Sequence, residues 1–177
     1  MEAKNSLMKS QRKIFALRLI NAILFAVLIY VQYNSVFTLK IASANPLLPM
    51  ALLIPICMFS SEITAALSGL AVGIFMDAVA ATPQGFNAIV LMLLGLAVPL
   101  IVKHLFNNNI LSSIVLCALC TAAYFVLRWI FCFAFFVTLT ENLTYLMQTA
   151  FPSVLYTCVF AVPLYYLEKA LYNKFYE

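Results

Sequence analysis

Two ionisable side chains, Asp77 and Arg128, stand inside long apolar runs, and any chemistry buried in this chain has to be built around them. A carboxylate held in a hydrocarbon setting costs ~2.5–3.5 kcal/mol on insertion scales, so it turns toward protein, water or a partner charge. At ~1.5 Å per helical residue, Asp77 lies roughly 20 Å along its run, and Arg128 reaches about the same depth in another. An Asp77–Arg128 ion pair is one expectation. The competing expectation is local: Asp77 reaches the interface and caps nearby backbone, while Arg128 extends beside an interfacial Trp129. A proton relay would need several such groups in line, and only these two stand at depth. Cys117-Ala118-Leu119-Cys120 has the spacing of a redox or metal pair. Its surroundings are apolar, however, and the single histidine, His104, lies beside Lys103 on another segment. Neither four converging metal ligands nor a nucleophile–base–acid triad can be assembled. The chain is therefore read as non-enzymatic, with no catalytic, cofactor-binding or metal-binding residue assigned. Glu62 follows Ser60-Ser61 at the head of a run, where a carboxylate complements the positive end of a helix.

The elements that carry these residues follow from composition. The 177 residues are 66% hydrophobic and 9% charged, far from the roughly half-apolar, quarter-charged mix of soluble domains. The solvent is lipid. Charged residues are scattered singly between apolar runs, which leaves no polar stretch for a separate soluble core and predicts a single transmembrane domain over 1–177. The net charge of +4 does not indicate nucleic acid: Lys4, Lys9, Arg12, Lys13 and Arg18 crowd the beginning of the chain, and no basic face with interleaved aromatics follows. Such clustering is a topology signal. The five cysteines lie in apolar runs, where the residue behaves as a small hydrophobe. Ala42-Ser43-Ala44 imitates a signal-peptidase site, but the apolar run before it is longer than a signal core and ends well short of it, so the first span is read as retained.

Apolar windows near the ~20 residues that cross a bilayer fall at 14–33, 63–81, 86–102, 110–130 and 148–167. A shorter sixth at 46–60 contains Pro46, Pro49 and Pro55 and is expected to be kinked or partly unwound, with its freed backbone groups satisfied by protein. Six crossings from a cytoplasmic N-terminus place most Lys and Arg inside and both termini in the cytoplasm; five would nearly erase that asymmetry. The expected fold class is an all-α, six-span membrane bundle. Spans three and four are joined by Thr82-Pro83-Gln84-Gly85, in which Pro83 pre-sets a turn and Gly85 supplies a conformation other residues resist. No inverted repeat of the kind found in carriers is visible.

Along the third span, Ala65, Gly69, Gly73 and Asp77 recur every four residues and form one stripe, small and then acidic. Small residues at this spacing let two membrane helices approach closely, either within the chain or against a partner's helix. Asn142-Leu143-Thr144 is a chance glycosylation sequon. The aromatic stretch from Phe131 to Phe136 overruns span five and must tilt, bend or lie along the interface, in contact with lipid or another protein.

The run Gly69-Leu70-Ala71-Val72-Gly73-Ile74-Phe75-Met76-Asp77, followed by Thr82-Pro83-Gln84-Gly85-Phe86-Asn87-Ala88 and by Gly95, resembles the central signature of the rod shape-determining protein MreD family. Length, span number and cytoplasmic termini agree; outside the signature the likeness is one of hydropathy. The resemblance implies a bacterial inner-membrane subunit of the machinery that elongates a cylindrical cell wall, associating with MreC and, through it, with MreB, RodA and a class B transpeptidase, and otherwise with membrane lipid. It implies structural importance for Gly69, Gly73, Asp77, Pro83 and Gly85, and no catalytic residue. It also implies a bundle similar to the substrate-binding subunits of energy-coupling-factor transporters. That is the competing reading: Ala22-x3-Ala26 would dock a transmembrane partner, and a pocket would draw on Asn87, Gln148 and Thr149, which are few for a ligand site.

Overall fold

The structure, a computed structural model, describes residues 2–33, 46–79, 85–105, 109–132 and 149–176, all but a few of them helical. The described residues form six helices, in order α1 (Glu2–Tyr33), α2 (Leu48–Phe59), α3 (Glu62–Val79), α4 (Phe86–Leu105), α5 (Ile110–Cys132) and α6 (Phe151–Tyr176). Five are long and apolar enough to cross a membrane, since 18 residues or more at ~1.5 Å each approach the ~30 Å hydrocarbon core. The chain is a multi-pass membrane protein. α2, with 12 residues, is the exception; at ~1.5 Å per residue it measures only about 18 Å.

That short helix is the centre of the molecule. Every residue from Leu48 to Met58 is buried, and α2 touches all five other helices. The expected unwinding does not occur: α2 is continuous despite Pro49 and Pro55. Pro49 falls in the first turn, where a helix leaves its N–H groups without internal partners and proline forfeits nothing. The donors that remain are met by other helices. The Leu47 N–H donates to Thr157 Oγ1 of α6 at 3.0 Å, and the Leu48 N–H to Gln32 Oε1 of α1 at 3.0 Å. At the other end Ser60 turns out into extended backbone, and Phe59 packs on Tyr165 and Tyr172 of α6 at centroid distances of 5.8 and 5.3 Å.

These contacts fix the direction of the chain. α2 runs parallel to α6, and its ends face opposite ends of the bundle. Glu62 at the start of α3 meets Lys103 at the end of α4, while Phe86 at the start of α4 meets Tyr124 and Phe131 in the second half of α5. Successive helices therefore alternate in direction. One end collects Arg12, Lys13, Arg18, Lys103, Lys169 and Lys174, and is called the basic end below. Most of the buried polar groups between the described helices are small hydroxyls, Ser112, Ser113 and Thr121 on α5 and Ser153 and Thr157 on α6; Asn87 and Glu168 are the larger ones. Packing and hydrogen bonds, not apolar burial, distinguish a helix neighbour from lipid.

Candidate functional site

α3 and α4 are the most extensively packed pair among the described helices, and the reason lies in three glycines. A Cβ on Gly69 would overlap the Leu91 carbonyl. One on Gly73 would lie 2.5 Å from the Asn87 oxygen, and one on Gly95 would lie 2.6 Å from the Ala65 oxygen. Ala65 itself is fully buried. Read from the basic end, Ala65 opposes Gly95, Gly69 opposes Leu91 and Gly73 opposes Ala88, so the two backbones are in direct contact along the stripe. The small-residue face of α3 is spent inside this hairpin.

Asp77 completes it. Its Oδ1 accepts the Asn87 N–H at 3.1 Å, and its Oδ2 accepts the Ala88 N–H at 3.0 Å. These are donors of the first turn of α4, which begins at Phe86, and such donors have no partner within their own helix. A capping side chain on the preceding residue normally meets them. Here that residue is Gly85, whose carbonyl accepts the Ile89 N–H at 3.1 Å and which holds φ at +88°, a region other L-residues resist. Glycine allows the turn but has no side chain to cap with, and Asp77 supplies the missing acceptor from the neighbouring helix. A carboxylate at the positive end of a helix is also electrostatically favoured.

The expected ion pair with Arg128 is not formed. Glu62 with Lys103 is the sole ion pair within 4.0 Å among the described residues. The Asp77 oxygens are occupied by backbone, and the Arg128 Nε and Trp129 Nε1 are buried without a hydrogen-bond partner. Glu62 sits in the first turn of α3 and reaches Lys103 at 3.4 Å, with the lysine mostly exposed and the glutamate partly so; solvent-accessible pairs of this kind contribute little.

The capped turn continues into α5. Asn87 is fully buried, and its Oδ1 accepts the Tyr124 hydroxyl at 2.7 Å. Asn87 thus links the Asp77 cap to α5; its position four residues before Leu91, on the buried face of α4, was the available clue. A second polar contact, absent from the sequence reading, joins Asn21 of α1 to Glu168 of α6: the amide donates to Oε2 at 3.4 Å, and Glu168 is almost fully buried. Sequence hydropathy ends the last span at 167, one residue short of it, whereas α6 continues to Tyr176. Cys57, Cys117, Cys120 and Cys158 are free thiols, with Cys117 Sγ 4.0 Å from Thr121 Oγ1. His104 is exposed. Pro83, Gln148, the sequon and most of the aromatic stretch after Phe131 lie outside the described residues.

Among known protein families, residues 11–175 match that of rod shape-determining protein MreD. No curated protein and no solved structure matches the chain.

Proposed function

The chain belongs to the MreD family of rod shape-determining proteins, and from that premise we propose that it is a non-enzymatic scaffold subunit of the cell-wall elongation machinery. In this reading it sits in the bacterial cytoplasmic membrane with both termini in the cytoplasm, holds MreC through lateral helix contact, and so helps to position peptidoglycan synthesis by RodA and a class B transpeptidase relative to MreB. The observation that carries the reading is the family match along nearly the whole chain. The gathering of basic side chains at one end of the bundle supports the cytoplasmic assignment of that end.

The geometry narrows how a partner is held. With Ala65, Gly69, Gly73 and Gly95 occupied within the hairpin, a partner's helix has to meet another face. α1 is the least enclosed of the five long helices, and its exposed ridge of Phe15, Leu19, Ile23, Val27 and Tyr30 recurs at the spacing of one helix face. That ridge is the proposed contact for MreC. The stripe residues, with Asp77 and Gly85, act one step removed by holding the bundle that presents it.

Depletion in a rod-shaped host tests the reading. Cells should widen and round, and affinity isolation of the tagged protein from native membranes should recover MreC. Cells that stay rod-shaped but require a supplied vitamin or metal, with nucleotide-binding subunits in the isolate, would overturn it in favour of a transporter subunit.

A further inference from the structure

A groove of about 510 Å³ opens between α1 and α3, beside the end of α2. Its chemistry changes along its length. At the basic end its mouth carries Arg18 of α1 with Ser61 and Thr64, where the chain enters α3; further in, its walls include Phe25, Ala26 and Phe75. At ~1.5 Å per residue, Ala26 lies about 12 Å from Arg18 along α1, and Phe75 about 16 Å from Thr64 along α3. The groove thus begins at a membrane surface and reaches toward the middle of the bilayer, polar first and apolar after.

The mouth has a charge without a counterpart. Arg18 has no ion-pair partner within 4.0 Å among the described residues: Glu62, at the head of α3, pairs with Lys103 of α4, and Glu168, one turn further in, accepts the Asn21 amide. Asn21, which also lines the groove, gives its amide to Glu168 and is tied to the bundle wall. An occupant therefore needs an anionic group at the mouth and a slender apolar part behind it. A phosphate at the mouth answers Arg18, and a chain of methylenes answers the apolar walls behind it. An acyl chain is one methylene wide.

We propose that the groove binds one anionic glycerophospholipid of the leaflet facing the basic end, its phosphate at Arg18 and one acyl chain along Phe25, Ala26 and Phe75. Guanidinium groups suit phosphate because their planar donors match its oxygens. The lipid fills the gap that α1 and α3 leave between them, and so steadies α1 against the bundle.

The test uses the full-length protein, purified in detergent and offered equal amounts of dioleoylphosphatidylglycerol and dioleoylphosphatidylcholine, with retained lipid counted by native mass spectrometry. One phosphatidylglycerol should be retained in preference. Arg18→Gln should reduce that preference about tenfold, the scale of one charge-assisted hydrogen bond. Ala26→Phe, at an exposed position of α1, should fill the apolar channel and release both lipids alike, which keeps the test decisive if Arg18→Gln fails to fold. Equal retention of the two lipids, an unchanged preference in Arg18→Gln, or undiminished retention in Ala26→Phe overturns the proposal. A photoreactive residue in place of Ala71, on the α3 wall, should give adducts of lipid mass in native membranes; an adduct of protein mass assigns the groove to a partner helix and overturns it as well. The lipid-retention outcomes do not bear on cell shape or MreC recovery, so the scaffold reading stands or falls separately.

Discussion

Replacing Asp77 by alanine removes the acceptor for two backbone donors at the head of α4. A lost helix cap costs typically ~1 kcal/mol and up to ~2, and each donor left unsatisfied in a buried setting costs ~1–3 kcal/mol. Asn87 and Ala88 are buried while Asp77 is partly open, which places the loss at about 2–4 kcal/mol. Asp77→Asn keeps one acceptor oxygen and turns an amide toward the other donor, so about half the loss is expected. Reactivity of the buried thiols of Cys57, Cys117 and Cys120 during titration from mild detergent into dodecyl sulfate provides the assay. The decisive comparison is with Arg128. Because the carboxylate is held by backbone and not by the guanidinium, Asp77→Ala and Arg128→Ala should combine additively within ~0.5 kcal/mol, and exchanging the two charges should recover nothing. A coupling above ~1 kcal/mol, or an Asp77→Ala protein as stable as the parent, would refute the cap.

Gly69→Ala and Gly73→Ala should each lower stability by ~1–3 kcal/mol in the same titration, because the added Cβ meets α4 backbone and the hairpin must open. Gly85→Ala should cost ~1–2 kcal/mol from backbone strain alone, as no atom stands within 4 Å of the new methyl. Tyr124→Phe should lose ~1–2 kcal/mol by removing the donor to Asn87. Cys117→Ser should stay within ~0.5 kcal/mol, since a helical serine bonds its own backbone. Gly73→Leu should reduce the amount of folded protein, yet whatever folds should still co-isolate with MreC; normal accumulation with lost co-isolation would return the stripe to the partner.

What the sequence disclosed follows the physics of a lipid solvent. Long apolar helices, their order and their approximate ends are written in hydropathy because the bilayer imposes one length and forbids unpaired backbone. The Ala65–Gly69–Gly73 spacing was likewise visible, but not what it touches, since small residues serve an internal neighbour and a partner equally. The centrality of α2 was hidden for a related reason. A helix apolar on every side reads the same in lipid as in protein, and its prolines suggested irregularity because the acceptors that satisfy its start, Thr157 and Gln32, come from other helices. Asp77 illustrates a third limit: its position allowed both a pair with Arg128 and a cap on nearby backbone, and spacing alone did not say that the backbone was that of residues ten and eleven further on, behind a Gly85 unable to cap.

The bond from Leu47 to Thr157 spans 110 residues, and it has a consequence for how the protein is made. α2 is too short to settle in a bilayer alone, and the acceptor for the Leu47 amide at its start belongs to α6, more than a hundred residues further along the chain. Until α6 is present, the Leu47 N–H has no such partner. The contact that closes the start of α2 can form only once α6 has been made. Chains cut before Phe151 should be degraded as unfinished proteins, and the core becomes a checkpoint of complete biogenesis.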